Sequence, residues 1–517
     1  MIRHSLKASE FWRKLPWKQF RRNLFRLQVR VYKAIRAKDK RKAKSLQKLI
    51  LKSRAARLLA IRQVTQLNAG KKTPGIDGKA SLTHQERYYL SERLKANVNT
   101  WKHSGLRQIP IPKKDGSTRM LKVPTIDDRA WQCLVKYAIE PAHEATFHER
   151  SYGFRPGRAA FDAQKILFLN LNSKVNGMNK RVIELDIEKC FDRISHTAIL
   201  ERLIAPLGVR KGIFRCLKSG VNPEFPEQGT PQGGVVSSLL ANIALNGIET
   251  IHQSVRYADD MVFILKPNDD EQKILEQIGQ FLAQRGMKVS EKKTKITAAT
   301  DGFDFLGWHF KVQKNGKFRS QPSVDNFKKF REKVKKIVNN SNYGSRVKAQ
   351  KLAPIVRGWR NYHQFCKLDG SRYSLWYIAN RAWKVFNKER KLNRNQVNEL
   401  VKKAFPYFPY HENNFVNVKG NKTPFDGDIL YWTKRNSAQY DSTTSRLLKK
   451  QNHTCGHCGM FFTHEEQVHL HHIDGNHSNW KANNLMAVHE SCHDYIHMSK
   501  TRLSGAVCRE TRKHGSK

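Results

Sequence analysis

Residues 256–265 read RYADDMVFIL, which places two adjacent carboxylates, Asp259 and Asp260, directly before an apolar run. The apolar residues on both sides of Ala-Asp-Asp predict a hairpin with the carboxylates at its tip. Charge beside a buried strand is unfavourable unless an opposite charge compensates it. The stretch therefore predicts a compensating cation close to the turn.

A third aspartate follows a similar apolar run in KRVIELDIEKCFDRI, residues 180–194. Strand-forming residues from Val182 to Leu185 end at Asp186, and a helix is predicted from Glu188 to Ile194. Two strand ends that each carry an aspartate can bind two Mg²⁺ ions, an arrangement that suits phosphoryl transfer. The alternative is an exposed acidic turn or a helix N-cap.

The charge of the whole chain indicates the class of partner. Its 517 residues include 96 Lys and Arg against 44 Asp and Glu, a net charge of +52. A surface this cationic attracts nucleic acid or an anionic membrane. No apolar run approaches the roughly 18 residues of a membrane-spanning helix. Interleaved aromatic and basic residues, as in Trp12-Arg13 and Phe20-Arg21, favour nucleic acid and no membrane.

Pattern and composition divide the chain into five segments. Residues 1–80 are basic and helical, residues 81–320 mix strands with helices, and residues 321–391 return to amphipathic helices. Residues 392–445 are polar with several Pro and Gly, and residues 446–517 are dense in His and Cys. The predicted fold class is therefore an α+β multidomain protein.

Eight short motifs extend over most of the chain. They are TPGIDG at 73–78, PTIDDR at 124–129, YGFRPGR at 152–158, TPQGG at 230–234, LLAN at 239–242, YADD at 257–260, FLGW at 305–308 and RGWRNY at 357–362. In this order they resemble the group II intron-encoded proteins, which are reverse transcriptases and maturases.

The resemblance implies a function for each segment. Residues 1–80 are expected to form an RNA-binding extension, 81–320 the fingers and palm of a right-hand polymerase, and 321–391 an α-helical thumb (maturase) domain. Residues 392–445 are expected to bind DNA, and residues 446–517 to form a small ββα-metal HNH endonuclease domain with a structural zinc.

The same resemblance assigns the polymerase centre. It implies that Asp186 and Asp259 bind two Mg²⁺ ions, with Asp260 as the adjacent, supporting carboxylate of the metal site. Phe191 falls where the family places a bulky side chain against the sugar 2′ position, so it is expected to favour deoxynucleotides. For Phe191 the alternative is an ordinary core aromatic.

The incoming dNTP is expected to meet two further segments. Gln232 and Gly233 should line the nucleotide pocket, where glycine permits close backbone approach. In the family a hairpin folds over the triphosphate, which makes Lys113 and Arg119 candidates for phosphate contact. Lys114 is an alternative to Lys113, and a solvated hairpin without ligand contacts is the alternative for both.

The carboxyl-terminal segment contains paired metal ligands. Cys455 and Cys458 have the spacing of a zinc knuckle, and His489 with Cys492 supplies a second pair. A closed site of four such ligands predicts a structural Zn²⁺, because a small domain has little core of its own. An alternative assignment makes His493 the fourth zinc ligand and gives His489 the role otherwise expected for His493.

Other histidines in this segment resemble the HNH nuclease motif. By that resemblance His472 is the general base that activates water. His471, His493 and His497 are expected to bind a catalytic divalent metal and the scissile phosphate, and Asn484 to orient the hairpin or His472. The metal is open among Mg²⁺, Mn²⁺ and Zn²⁺, and a purely structural zinc module without cleavage is the alternative.

Together these features predict a protein that reverse-transcribes, assists RNA splicing and cuts DNA in intron mobility. Its expected partners are its group II intron RNA, target double-stranded DNA and dNTPs. Its expected location is the bacterial cytoplasm, near the nucleoid, or an organelle. The rival functions are a splicing cofactor with idle catalytic sites and a reverse transcriptase adapted to another host process.

Overall fold

The computed structural model of the chain describes residues 12, 14–112, 116, 118–220, 225–366, 368, 373–389, 391–407, 415–437, 440–462, 468–490, 492–494 and 496–497. Among the helices in these ranges, none combines the length and apolarity that crossing a membrane requires.

Basic helices precede the predicted fingers and palm. They are α1 (Trp17–Arg36), α2 (Lys40–Lys52), α3 (Arg54–Arg62) and α4 (His84–Asn97). The side chains of Asp39 and Ser53 cap the starts of α2 and α3, accepting hydrogen bonds from the backbone of Lys42 and Ala56. Their apolar faces pack against a long buried helix, α5 (Ile126–Glu144), while their basic faces stay in solvent.

A hairpin and a four-stranded sheet form the centre of the molecule. The hairpin pairs β1 (Arg107–Pro112) with β2 (Thr118–Val123). The sheet contains β3 (Arg181–Leu185), β4 (Ser254–Tyr257), β5 (Asp260–Leu265) and β6 (Lys295–Ala298), in the antiparallel order β4-β5-β3-β6. The strand ending before Asp186 and the hairpin with Asp259 and Asp260 at its turn are confirmed.

Both faces of this sheet are covered because alternate residues point to opposite sides. Ile183 and Phe263 join the core beneath α5. Val182 and Val262 join a second core shared with the carboxyl-terminal helices. The helices around the sheet are α6 (Ala160–Leu171), α7 (Cys190–Arg193), α8 (His196–Arg202), α9 (Leu207–Lys218), α10 (Ser237–Leu245) and α11 (Glu271–Ala283).

The helical thumb is longer than the sequence predicts. A small sheet of β7 (Phe303–Phe305), β8 (Trp308–Val312) and β9 (Phe318–Pro322) precedes α12 (Val324–Val338), α13 (Ser345–Tyr362), α14 (Trp376–Phe386) and α15 (Arg394–Ala404). We predicted an end at residue 391, but Val397 and Ala404 of α15 are buried in the same core. The apolar face of α15 therefore places this helix in the thumb.

Residues 415–437 run back over the polymerase core. They contain a short 3₁₀ turn at Pro424–Asp426 and α16 (Ile429–Ser437). Arg435 donates hydrogen bonds to both carboxylate oxygens of the buried Asp162, at 2.8 and 2.7 Å. Gly157 lies so close to Trp432 that a Cβ on the glycine would be 2.4 Å from the indole. This part of the predicted DNA-binding region is thus anchored to the protein itself.

The last module has its own small core. Helix α17 (Ser442–Lys450) packs on an antiparallel pair of strands, β10 (Val468–His472) and β11 (Leu485–His489). Among the module's described residues, a small group of apolar side chains is buried, including Leu448, Leu485 and Val488. A core this small requires additional stabilisation, such as a bound metal.

Candidate active site and metal centres

A tight turn presents the paired aspartates at the edge of the central sheet. Ala258 has a left-handed backbone conformation, with a φ of 61°, and is buried. Gly153 lies directly against it, because a Cβ on Gly153 would be 2.3 Å from the Ala258 nitrogen. The Tyr152 amide also donates to the Arg256 carbonyl at 2.8 Å. The YGFRPGR segment therefore supports the turn that carries Asp259.

A buried arginine holds this turn from inside. Arg256 is fully buried and forms an ion pair with Glu249, which is equally buried. Its guanidinium also donates to Asn242 Oδ1 at 2.8 Å and to the Ala258 carbonyl at 3.1 Å. The Asn242 amide in turn donates to the Gly153 carbonyl at 2.9 Å. Arg256 is therefore paired with Glu249 and, among the described residues, forms no ion pair with the turn aspartates.

The pKa values of the two turn aspartates are raised. Burial and then the neighbouring charges of Asp259 and Asp186 raise the pKa of Asp260 to about 6. Burial also raises the pKa of Asp259, and Asp186 adds to the increase. Lys293 lies at the edge of the group, with its Nζ 3.5 Å from Asp186 Oδ2. Acidic groups that repel one another in this way form a site that divalent cations stabilise.

The β1–β2 hairpin and the TPQGG segment meet beside the aspartates. The Arg119 side chain donates a hydrogen bond to the Gln232 side chain, and the Lys122 amide donates to the Gln232 carbonyl at 2.8 Å. Gly233 has a φ of 127°, and a Cβ there would be 2.8 Å from the Lys122 carbonyl oxygen. The charge of Arg119 also acts on Asp259. Lys113 and Lys114 lie outside the described residues.

Phe191 joins the end of β3 to the TPQGG segment. Its carbonyl accepts a hydrogen bond from the Thr230 amide at 2.7 Å. Its ring is partly buried and packs against the main core, while Cys190 beside it is fully inside. Phe191 is thus fixed between Asp186 and the loop that contains Gln232, with part of its surface facing solvent.

The four zinc-ligand candidates are close together in the last module. The ligand atoms of Cys455, Cys458, His489 and Cys492 all lie within 4.8 Å of one another. His489 Nδ1 is 3.2 Å from the Cys458 sulfur and 3.9 Å from the Cys492 sulfur. Three sulfurs and one imidazole nitrogen at these separations fit a tetrahedral Zn²⁺.

The three histidines that resemble HNH metal ligands form a separate cluster. The ligand atoms of His471, His493 and His497 lie within 4.8 Å of one another, and the Nε2 atoms of His493 and His497 are 3.2 Å apart. Burial, followed by the adjacent His497 and His469, lowers the pKa of His493. The lowered pKa favours the neutral imidazole that binds metals. The structure thus groups His489 with the cysteines and His493 with the histidines.

Hydrogen bonds orient the candidate base. His472 Nδ1 is 3.1 Å from the Asn479 carbonyl oxygen, which can only accept, so Nδ1 carries the proton and Nε2 is left as the basic atom. Asn484 fastens the same loop, because its amide donates to Asp474 Oδ1 and to the Asn479 carbonyl, both at 2.9 Å. Trp480 lies at the other side, with its ring 5.2 Å from that of His472.

Sequence reasoning missed the residues that support these sites. The sequence indicates no role for Arg256, Glu249 or Trp480. The positions of Asn242 in LLAN and of Arg256 before YADD are the signals that were available. Neither signal indicates that the two side chains are hydrogen-bonded to each other.

Comparison with known proteins identifies the family. The chain is 39% identical to "Maturase-like protein 1" of Euglena gracilis over 464 residues. The aligned region covers 89% of this chain and 99% of that protein. The chain belongs to the maturase-like family. Residues 12–94 match "N-terminal domain of reverse transcriptase", 111–310 match "Reverse transcriptase (RNA-dependent DNA polymerase)", and 327–404 match "Group II intron, maturase-specific domain".

More distant matches to this maturase-like protein cover less of it. "Group II intron-encoded protein LtrA" of Lactococcus lactis subsp. cremoris is 26% identical over 337 residues, which is 50% of this chain and 55% of that protein. A solved structure of apo telomerase from Candida Tropicalis, truncated from its C-terminal domain, is 16% identical with a TM-score of 0.32, covering 48% of this chain and 63% of that one.

The family matches confirm part of the prediction. The reverse transcriptase match encloses Asp186, Asp259 and Asp260, and this domain is an RNA-directed DNA polymerase that uses a divalent metal, Mg²⁺. The maturase-specific match extends through α15, in agreement with the longer thumb. The chain is therefore a reverse transcriptase with a group II intron maturase domain, and that domain implies binding of intron RNA.

Proposed function

We propose that this maturase-like reverse transcriptase also cuts DNA and acts in intron mobility. In this account the protein binds its intron RNA and assists splicing, and the RNA then enters one strand of a target duplex. The carboxyl-terminal module cuts the opposite strand. The new 3′-hydroxyl primes reverse transcription of the inserted RNA by target-primed synthesis.

Each side chain of the polymerase centre has a role in this proposal. Asp186 and Asp259, with Asp260 beside them, would hold the Mg²⁺ pair, which when bound would supply activation of the primer hydroxyl and stabilisation of the leaving pyrophosphate. Arg119 is within reach of the Gln232 side chain, so its guanidinium can bind the triphosphate at the same place. The partly exposed Phe191 ring is placed to exclude a ribose 2′-hydroxyl.

The single observation that supports cleavage is the cluster of His471, His493 and His497, with His472 next to His471 at the end of β10. The proton on His472 Nδ1 is held by the Asn479 carbonyl, so Nε2 can take a proton from an attacking water. A divalent metal bound by His471, His493 and His497 would polarise the scissile phosphate. This arrangement is what hydrolysis of a phosphodiester requires.

The Cys455–Cys458–His489–Cys492 site has a supporting role in this proposal. A Zn²⁺ bound there would stabilise a module whose own core is small. It would also fix β11, whose last residue is His489, and thereby the hairpin that carries His472. For the protein's location, we propose the bacterial cytoplasm beside the nucleoid, or an organelle, where intron RNA and target DNA occur together.

Cleavage is tested on a duplex carrying the target site, with intron RNA bound to the protein. We expect His472→Ala to abolish the cut in the second strand and to leave primer extension at the native rate. The control is His457→Ala, an exposed histidine of the same module that belongs to neither ligand cluster. Cutting by His472→Ala at the native rate would contradict the assignment of the base.

A further inference from the structure

A cavity separates the amino-terminal helices from the carboxyl-terminal module. It has a volume of about 540 Å³ and is lined by α1, α16 and the segment around Phe461. Pockets that bind ligands have volumes of roughly 300–1,000 Å³. The cavity is thus large enough for one nucleotide and too small for a duplex.

The walls of this cavity are aromatic. Phe25 of α1, Phe425 and Trp432 all line it, and Phe461 stands at the edge with 39% of its surface exposed. The indole Nε1 of Trp432 is buried and has no hydrogen-bond partner within the described ranges. Aromatic rings stack on nucleobases whatever their sequence, so these walls suit a base.

The opening of the cavity is cationic. Arg22 and Arg26 line it from α1, are exposed, and form no ion pair with any residue the structure describes. Arg62 lines it as well, with its guanidinium 4.6 Å above the Trp17 ring. Guanidinium groups with unused donors bind phosphate. Glu490 adds an acceptor at the same opening, suited to a ribose 2′-hydroxyl.

We propose that this cavity binds one unstacked nucleotide of the intron RNA. The base stacks against Phe461 and the inner aromatic wall, and its phosphate is bound by Arg22 and Arg26. The inference rests on the intron RNA being the partner of this chain. Because the cavity has walls from both ends of the chain, a bound nucleotide would also tie the carboxyl-terminal module to the RNA.

The test measures binding of the octamer rA8 to the full-length protein by fluorescence anisotropy, at salt high enough to suppress diffuse phosphate binding. We expect Phe461→Ala to weaken binding about tenfold, since stacking on one aromatic ring contributes roughly that factor. The matched control is Phe214→Ala, which removes an equally exposed ring, 40%, outside the cavity. It should leave the affinity unchanged.

A second comparison separates the cavity from general charge. Arg22→Ala and Arg30→Ala each remove one positive charge from exposed positions of α1, but only Arg22 lines the cavity. We expect the larger loss of rA8 affinity for Arg22→Ala. Equal losses for the two arginines, or an unchanged affinity for Phe461→Ala, would overturn the proposal.

The source of the nucleotide is tested with AMP and dA8. We expect AMP to bind far more weakly than rA8, and dA8 to bind more weakly as well. AMP binding as tightly as rA8 would assign the cavity to free nucleotides, and equal binding of dA8 would assign it to DNA; either result overturns the proposal. If the native protein does not bind intron RNA at all, the proposed function itself is contradicted.

Discussion

Asp260 is the residue whose chemistry depends most directly on its neighbours. Its pKa, raised to about 6 by burial and by Asp259 and Asp186, exceeds the ordinary value of 3.8. The metal-free folded protein therefore binds this proton more tightly than the unfolded chain. The resulting stabilisation is complete below pH 3.8 and is lost as the pH rises through about 6.

The same shift predicts how metal binding depends on pH. Since a proton and a cation compete for the carboxylate, we expect the affinity for Mn²⁺, used as a spectroscopic substitute for Mg²⁺, to rise as the pH passes through about 6. The measurement is a Mn²⁺ titration on either side of that pH. Asp260→Asn should lower the affinity and reduce its pH dependence. An affinity that does not change across this range would show that Asp260 is remote from the metal.

Phe191 gives a prediction about sugar selection. Replacing the ring in Phe191→Val removes bulk beside the nucleotide, so ribonucleotides should be incorporated at least about tenfold more efficiently relative to dNTPs. Single-nucleotide extension with dNTP and rNTP in parallel measures the ratio. An unchanged ratio of rNTP to dNTP incorporation would show that Phe191 is an ordinary core aromatic.

At the level of residues, the sequence predicted the functional side chains that belong to recognisable motifs. It did not predict the side chains that support them in the fold. Asp186 could be recognised because it follows an apolar run, and Asp259 because its Ala-Asp-Asp turn stands directly before one. The buried pair of Arg256 and Glu249 could not, since isolated Arg and Glu residues are normally exposed and only folding brings these two together. Lys113, whose role came from the same resemblance, stays a prediction.

At the level of elements, the segment 415–437 is the main surprise. The family resemblance implied that residues 392–445 bind DNA, whereas the structure shows Arg435 3% exposed and paired with the buried Asp162. The thumb was predicted from helical periodicity, but its end was placed at residue 391 because the polar outer face of α15 conceals the buried Val397. In both cases the deciding contact is distant in sequence.

The buried ion pair between Arg435 and Asp162 is expected to contribute strongly to the stability of the fold. Arg435→Ala would leave the Asp162 carboxylate buried without its partner, which costs roughly 3–5 kcal/mol of unfolding free energy. Thermal or urea unfolding measures the loss. The control is Lys434→Ala, the exposed neighbour on the same helix, which should change stability by less than about 0.5 kcal/mol. Equal effects of the two variants would mean that the anchor contributes little.

At the level of the whole molecule, the order of motifs was the strongest information in the sequence. It predicted a reverse transcriptase with a maturase thumb, and the family matches confirm both. The sequence contained no sign that the amino-terminal helix α1 and the carboxyl-terminal module share a cavity, because its walls come from residues more than 400 positions apart. Cleavage of DNA by that module stays a proposal.

The most direct test of the account is primer extension on an RNA template with dNTPs and Mg²⁺, comparing the native protein with Asp259→Ala. We predict extension by the native protein, none by the variant, and equal binding of intron RNA by both. Extension by Asp259→Ala would show that the paired aspartates are not the metal site. If neither protein extends the primer while both bind intron RNA tightly, the protein is a splicing cofactor and the polymerase account is wrong.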